Sequence, residues 1–410
     1  MKKKAWLIIC LIGLTAMMAA CGKEDSHQVE IEFFQTKSEA IPTFRKLIAK
    51  FQEEHPDIKV IESYPPDAET VLRTRVFKRQ MPEVIGIGGS YLFSELIGAE
   101  QLKNFDHTDL AAKSQEGYVQ ILKDVGLTEH LYGLPFVANA SGVLYNQDLF
   151  KDHQVKVPET WDEFIAAAET FQKLKIDPFY FTIKDAWTTL GAMNPIVANT
   201  QGTDFFEKRR NQEITFVEGY DEAADKLAQL FPFIQKNGYG QGYADGNLAF
   251  ANGKSAMYLQ GIWAIPEIKK ANPEVNIGVF AMPVNNDPTN NRLVSGVDLM
   301  LAQSAEITNK KKEEAADQLI KFLYQEENVS LYLEEQDAIP AIKGMAIQNK
   351  NLLPLSPYIQ NNQVVDFADH LIPSGVAFDA QVQTYVINQD KAAFLTTMDR
   401  EWTKVMNRKE

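Results

Sequence analysis

Between Val29 and Gly98 the apolar pattern changes its period repeatedly. Val29-Glu30-Ile31-Glu32-Phe33-Phe34 reads as a strand. Ile41, Phe44, Leu47, Ile48 and Phe51 fall at helical spacing, and Asp57-Ile58-Lys59-Val60-Ile61 reads as a second strand. Two strands joined through a helix predict a parallel pair, because a parallel connection must cross back over the sheet. Residues 71–78 form another helical stretch. A third strand over 83–87 ends in Gly88-Gly89-Ser90, and a helix over 92–98 follows. This alternation restricts the opening of the chain to an α/β domain with a mainly parallel sheet.

The middle is richer in helix and aromatic residues. Helical stretches are expected over 161–174, 205–210, 221–237 and 247–252, with short strands over 142–145, 255–258 and 277–280. An amphipathic helical stretch covers 310–333 and a further helix 391–406. With 45% apolar and 23% charged residues the composition is that of a globular protein. The length suits two or three domain-sized units. A net charge of −14 disfavours nucleic acid and anionic membrane surfaces as partners.

Residues 1–20 read as a signal peptide: Lys2, Lys3 and Lys4, an apolar run over 5–16, then Met18-Ala19-Ala20-Cys21-Gly22. The apolar run is too short to span a bilayer. Small residues before Cys21 resemble a lipobox, which makes Cys21 the lipidated first residue and 21–28 a polar tether. The alternative is an ordinary signal peptide cut near Ala20, with Cys21 incidental. Lipidation places the body on the extracellular face of the cell membrane, held by the lipid anchor alone. The chain has two cysteines, Cys10 and Cys21. The body beyond them therefore has neither a disulfide nor a free thiol, and core burial must hold it together.

A series of local patterns points to a family. Phe33-Phe34-Gln35-Thr36-Lys37 is followed by His55-Pro56-Asp57-Ile58-Lys59-Val60 and Met81-Pro82-Glu83-Val84-Ile85. Next come Tyr132-Gly133-Leu134-Pro135-Phe136, Tyr145-Asn146-Gln147-Asp148-Leu149-Phe150 and Val157-Pro158-Glu159-Thr160-Trp161. Phe250-Ala251-Asn252-Gly253-Lys254, Gln260-Gly261-Ile262-Trp263-Ala264, Ser295-Gly296-Val297-Asp298 and Ala338-Ile339-Pro340-Ala341 complete it. In this order the patterns resemble the family 1 extracellular solute-binding proteins of carbohydrate ABC importers, of the raffinose and multiple-sugar-binding type. The resemblance spans about residues 29–345. It implies a two-lobed α/β fold like that of periplasmic binding proteins, with a cleft and three interlobe crossings near 137–141, 293–296 and 336–340. Lobe 1 would comprise 29–138 plus 296–337, and lobe 2 would comprise 139–295 plus 338–410. It further implies a sugar ligand, with neutral α-linked oligosaccharides as precedent, no cofactor or metal, no catalysis, and an ABC permease as partner. The ATP would be used by separate subunits, since this chain has no phosphate loop of its own.

Sugar rings offer apolar C–H faces and a rim of hydroxyls, so a site needs aromatic platforms and planar polar side chains. Gln35, Lys37 and Glu39 follow the first strand, where open α/β sheets bind ligands. Helix-start chemistry is the alternative for this segment. Gly89 and Ser90 allow close backbone approach or merely form a strand-to-helix turn. The resemblance adds Asn139 at the first crossing, Asp185 with Trp187, and Tyr243 with Asp245. It also adds Gly261 with Trp263, Asp298 at the second crossing, and Phe378. By composition alone Trp187 reads as core, and Asp298 serves equally as a hinge tie. Two other classes stay open at this point. One is an adhesive surface lipoprotein. The other is a glycan-acting hydrolase, for which some carboxylate pair is inevitable among 55 acidic residues.

Overall fold

The computed structural model describes residues 28–407; the signal-peptide and Cys21 readings lie outside the described residues. The strands, in chain order, are β1 (Val29–Gln35), β2 (Ile58–Ser63), β3 (Val84–Ile87), β4 (Leu134–Asn146) and β5 (Asp177–Phe179). They continue with β6 (Ser255–Gly261), β7 (Ile277–Phe280), β8 (Leu293–Gln303), β9 (Ile339–Pro340) and β10 (Val364–Val365). The helices that matter below are α1 (Ile41–Glu54), α2 (Ala68–Lys78), α3 (Tyr91–Gly98), α4 (Trp161–Lys173) and α5 (Leu190–Thr200). After them come α6 (Tyr243–Ala251), α7 (Lys310–Leu323), α8 (Glu326–Gln336), α9 (Phe378–Asn388) and α10 (Lys391–Met406). The helical stretch expected over 310–333 is two helices, broken around Tyr324 and Gln325.

The opening forms as expected: β1 pairs in parallel with both β2 and β3. The sheet as a whole is not mainly parallel. β8 lies antiparallel beside β3, and β4 lies antiparallel beside β8. The periodicity of a segment fixes its type but not the direction from which a distant strand enters. Both β4 and β8 enter from outside the βαβ rhythm, so the parallel rule does not bind them.

β4 runs over 13 residues, where a short strand over 142–145 was expected. It is buried on both faces, so the in–out alternation that announces a strand is missing. Its first half pairs with β8, and its second half pairs with β6 and β7. It is thus the spine that passes from one lobe to the other. β9 pairs with β4 at Val137 and Ala138, and Asn139 lies opposite Gly296 of β8. These three segments therefore stand side by side.

Two large apolar cores flank this seam. One gathers Phe33, Phe44, Phe51, Phe93, Phe136, Phe322 and Tyr332, and also takes in Phe250, Ile265 and Leu352. The other gathers Phe150, Trp161, Phe164, Phe171, Phe205, Phe216, Tyr385 and Trp402. Each buried aromatic of this size contributes about 2–3 kcal/mol by area. Ala198, Val294 and Phe367 form a small third cluster between them.

Candidate functional site

The end of β1 and the middles of β4 and β8 converge where the chain crosses between lobes. Lys37 follows β1, Asn139 sits in β4 and Asp298 sits in β8. Lys37 Nζ donates to Asp298 Oδ1 at 2.7 Å, and Asn139 Nδ2 donates to the same oxygen at 2.9 Å. Lys37 also pairs with Glu39 at 3.0 Å. Burial alone would lower the Lys37 ammonium, but Asp298 and then Glu39 hold it well above the usual lysine range. Burial likewise opposes ionisation of Glu39, yet Lys37 keeps that carboxyl below its ordinary value. Asp298 thus joins three chain segments in one charge-assisted network.

An open cleft lies beside this network, with about 1110 Å³ of space that merges into solvent. Lys37, Glu39, Asn139 and Asp298 line it together with Trp187, Tyr243 and Trp263. The Trp187 and Tyr243 rings meet at 4.8 Å between centroids, inclined by 57°. Trp187 is 42% exposed, a large apolar surface to leave in water. Burial pushes the Tyr243 phenol up to about 12, so it stays a neutral donor and acceptor at any ordinary pH. Trp263 lies against Gly261, where an added Cβ would come within 2.1 Å of ring carbon Cζ3. Any other residue at 261 would displace the ring. Among the described residues, Trp263 Nε1 and Asn139 Oδ1 have no hydrogen-bond partner. An unpaired buried polar atom costs about 1–3 kcal/mol, so a ligand hydroxyl that reached either would relieve that cost.

Trp187 also lines a second, adjoining open cavity, with about 750 Å³ of space that merges into solvent. Ser90, Tyr91, His370 and Phe378 are among its walls. Ser90 opens α3 without capping it through its side chain. Phe378 is almost fully buried at the start of α9.

The remaining candidates stand outside these walls. Gln35 is fully buried; its amide donates to Glu62 and its carbonyl oxygen accepts from the Lys37 backbone. Gly89 packs against Val297 and Leu122. Asp185 and Asp245 are engaged at the start of α6. Asp185 Oδ2 accepts from the Tyr243 amide at 2.7 Å, and Asp245 Oδ2 accepts from the Gly242 amide at 2.9 Å. They position Tyr243 rather than face the cavity. Gly261 acts through the ring it admits.

The sequence reading missed the wall formed by the end of α8 and the third crossing: Tyr332, Glu335, Gln336, Asp337 and Ala338. Asp337 ends α8 in the left-handed conformation at φ 50° and accepts from Asn349 at 2.8 Å. The signal was present in a helix running directly into Ala338-Ile339-Pro340. Glu267 and Pro266, after Trp263, were also missed. Among the described residues no group of histidine, cysteine and carboxylate side chains is placed to hold a metal ion.

The comparisons with known proteins agree with this architecture. The profile of the family described as bacterial extracellular solute-binding protein matches residues 46–362. The multiple sugar-binding protein of Streptococcus mutans serotype c is 31% identical over 369 residues, covering 85% of either chain. The apo form of RafE from Streptococcus pneumoniae superposes with a TM-score of 0.82 at 26% identity, covering 94% of this chain and 100% of the other. RafE in complex with raffinose gives a TM-score of 0.80 at 26% identity, covering 92% of this chain and 100% of the other. The chain therefore belongs to the bacterial extracellular solute-binding proteins, in the family 1 group of sugar ABC transporters, and is a binding protein rather than an enzyme.

Proposed function

We propose that this protein captures a neutral, α-linked oligosaccharide outside the cell and delivers it to an ABC permease in the membrane. The observation that carries the oligosaccharide is the place of Trp187. One indole borders two adjoining cavities, so it offers surface to sugar units in both. A single pyranose would fill one side and leave the other wet. Trp263 and Tyr243 supply further aromatic surface, and Lys37, Asn139 and Asp298 supply the hydroxyl partners. The names of the relatives, a multiple sugar-binding protein and a raffinose complex, support the same ligand class.

Lobe 1 is taken as 29–138 plus 296–337 and lobe 2 as 139–295 plus 338–410, hinged at 138–141, 295–296 and 338–340. The ligand must prefer the closed state for capture to drive closure. Adding raffinose should raise the thermal midpoint, since binding to the folded state alone stabilises it. It should also reduce the radius of gyration in solution scattering, and the sugar should be recovered unchanged. A midpoint shift without compaction would leave a rigid, lectin-like site, and consumed sugar would mean catalysis. No shift with raffinose or a panel of other oligosaccharides would favour an adhesive role.

The anchor is proposed to be lipid on Cys21. Cys21→Ser should abolish lipid labelling and release a folded body that still binds the sugar. A variant that stays on the membrane with unchanged labelling would remove the lipobox from the account.

A further inference from the structure

Trp263 is held from two sides. Gly261 admits its ring from below, and Phe367 meets it at 6.1 Å between centroids with an inclination of 52°. Phe367 is only 6% exposed and packs with Ala198 and Val294, in the cluster that Trp263 and Val365 join at its edge. This cluster sits at the crossing strand β8, not in either large core. Val294 belongs to β8, and β10 pairs in parallel with Leu293 and Val294.

The turn that carries Phe367 is locked onto the same strand. Asp366 Oδ1 pairs with His370 Nδ1 at 2.9 Å across one helical turn. Burial alone would lower the imidazole, but Asp366, with Asp369 and Asp298 further off, raises it to about 9, while burial pushes the Asp366 carboxyl up as well. The Phe367 and His370 rings lie 5.1 Å apart. Beneath them is Gly296, opposite Asn139 in the seam. A Cβ at 296 would come within 2.4 Å of Asp366 Oδ1 and 2.8 Å of the Phe367 ring. Only a glycine lets the turn approach β8 this closely.

We propose that residues 364–370 form a wedge in which Phe367 is a positioning residue for Trp263, tying the orientation of that indole to the crossing strand β8. The inference rests on the reading of Trp263 as a sugar platform. A platform held at one angle loses less conformational freedom when the ligand arrives, and its support must be as rigid as the platform itself. Because the wedge leans on a crossing, movement of β8 at the hinge reaches Trp263 through Phe367.

The test uses raffinose as the probe and two variants. Phe367→Ala removes the support and is expected to weaken raffinose binding at least about tenfold by calorimetry. Gly296→Ala leaves every ring intact and displaces the turn, so it should weaken binding in the same direction. Acrylamide quenching of tryptophan emission, measured without ligand, reports the indole directly. Both variants should increase the quenchable fraction, and the increase should vanish when each is combined with Trp263→Phe. Phe367→Leu, which restores apolar bulk, should recover part of the affinity. Quenching that does not change in either variant overturns the proposal, as does normal raffinose affinity in a folded Phe367→Ala protein. If the unaltered protein does not bind raffinose, that choice of sugar fails, while the ligand-free quenching arm still decides the role of Phe367.

Discussion

Replacing Trp263 with alanine is expected to weaken oligosaccharide binding at least about tenfold, because one decade of affinity corresponds to 1.4 kcal/mol. Covering the apolar face of a sugar ring with an indole contributes about 2 kcal/mol by area and ring contact. The substitution also deletes the Nε1 donor, which has no acceptor among the described residues. Stability should respond much less. Trp263 is half-buried at the edge of two apolar clusters and lines the cavity, so its loss opens space toward water rather than an internal void. A decrease of about 1–2 kcal/mol is expected, against about 3–5 kcal/mol for truncating a large aromatic deep in a core. Phe164, fully buried in the second core, supplies that reference in the same molecule. Calorimetry with raffinose and urea unfolding of the two alanine variants separate the roles. Normal affinity in a Trp263→Ala protein that unfolds as easily as the Phe164 variant would make Trp263 a core residue.

The opening of the fold was legible because its elements are local. Alternation in β1 and helical spacing in α1 differ in period, and each is complete within one segment. The seam was not legible in the same way. β8 carries Ser295, Gly296 and Asp298 among its apolar residues, so it reads as a motif rather than as a strand. β4 is buried on both faces and shows no alternation. The antiparallel entry of both depends on pairing across more than a hundred residues, which no local pattern encodes.

The candidate site divides along a similar line. Lys37, Glu39, Asn139, Trp187, Tyr243, Trp263 and Asp298 are scattered through the chain yet line one cavity; the place after β1 pointed to Lys37 and Glu39, and the resemblance to the others. Asp185 and Asp245 were chosen by the same reasoning and are engaged with backbone amides at the start of α6. A carboxylate that fixes a helix start and one that faces a ligand are the same residue type in sequence. The amphipathic helix expected over 310–333 accounts for Tyr332 without a site, and Glu335 lies just beyond it. Phe367 gave no signal, since its partners Val294 and Trp263 are distant in the chain.

Asp298→Ala is the substitution expected to cost most stability at the seam. The carboxylate accepts from Lys37 and Asn139, with side-chain exposures of 15% for Asp298 and 23% for Lys37. Its removal leaves the Lys37 ammonium largely out of water with only Glu39, which is 58% exposed, to pair with it. Breaking a fully buried pair from one side costs about 3–5 kcal/mol; the residual exposure and Glu39 reduce that here to about 2–3 kcal/mol. Asp298→Asn keeps an acceptor oxygen without the charge and should cost less. The decisive arm is the double variant. If the loss comes from a stranded cation, Lys37→Met in the Asp298→Ala background should restore more than half of it, since both partners of the pair are then gone. Urea unfolding at pH 7 measures all four proteins. Raffinose affinity should stay low in the double variant, because the polar edge of the cavity is lost even when the fold is repaired. Stability of Asp298→Ala within about 0.5 kcal/mol of the unaltered protein would show that the pair is no more than a surface contact. Equal losses in the single and double variants would assign the cost to the Asn139 contact instead of to Lys37.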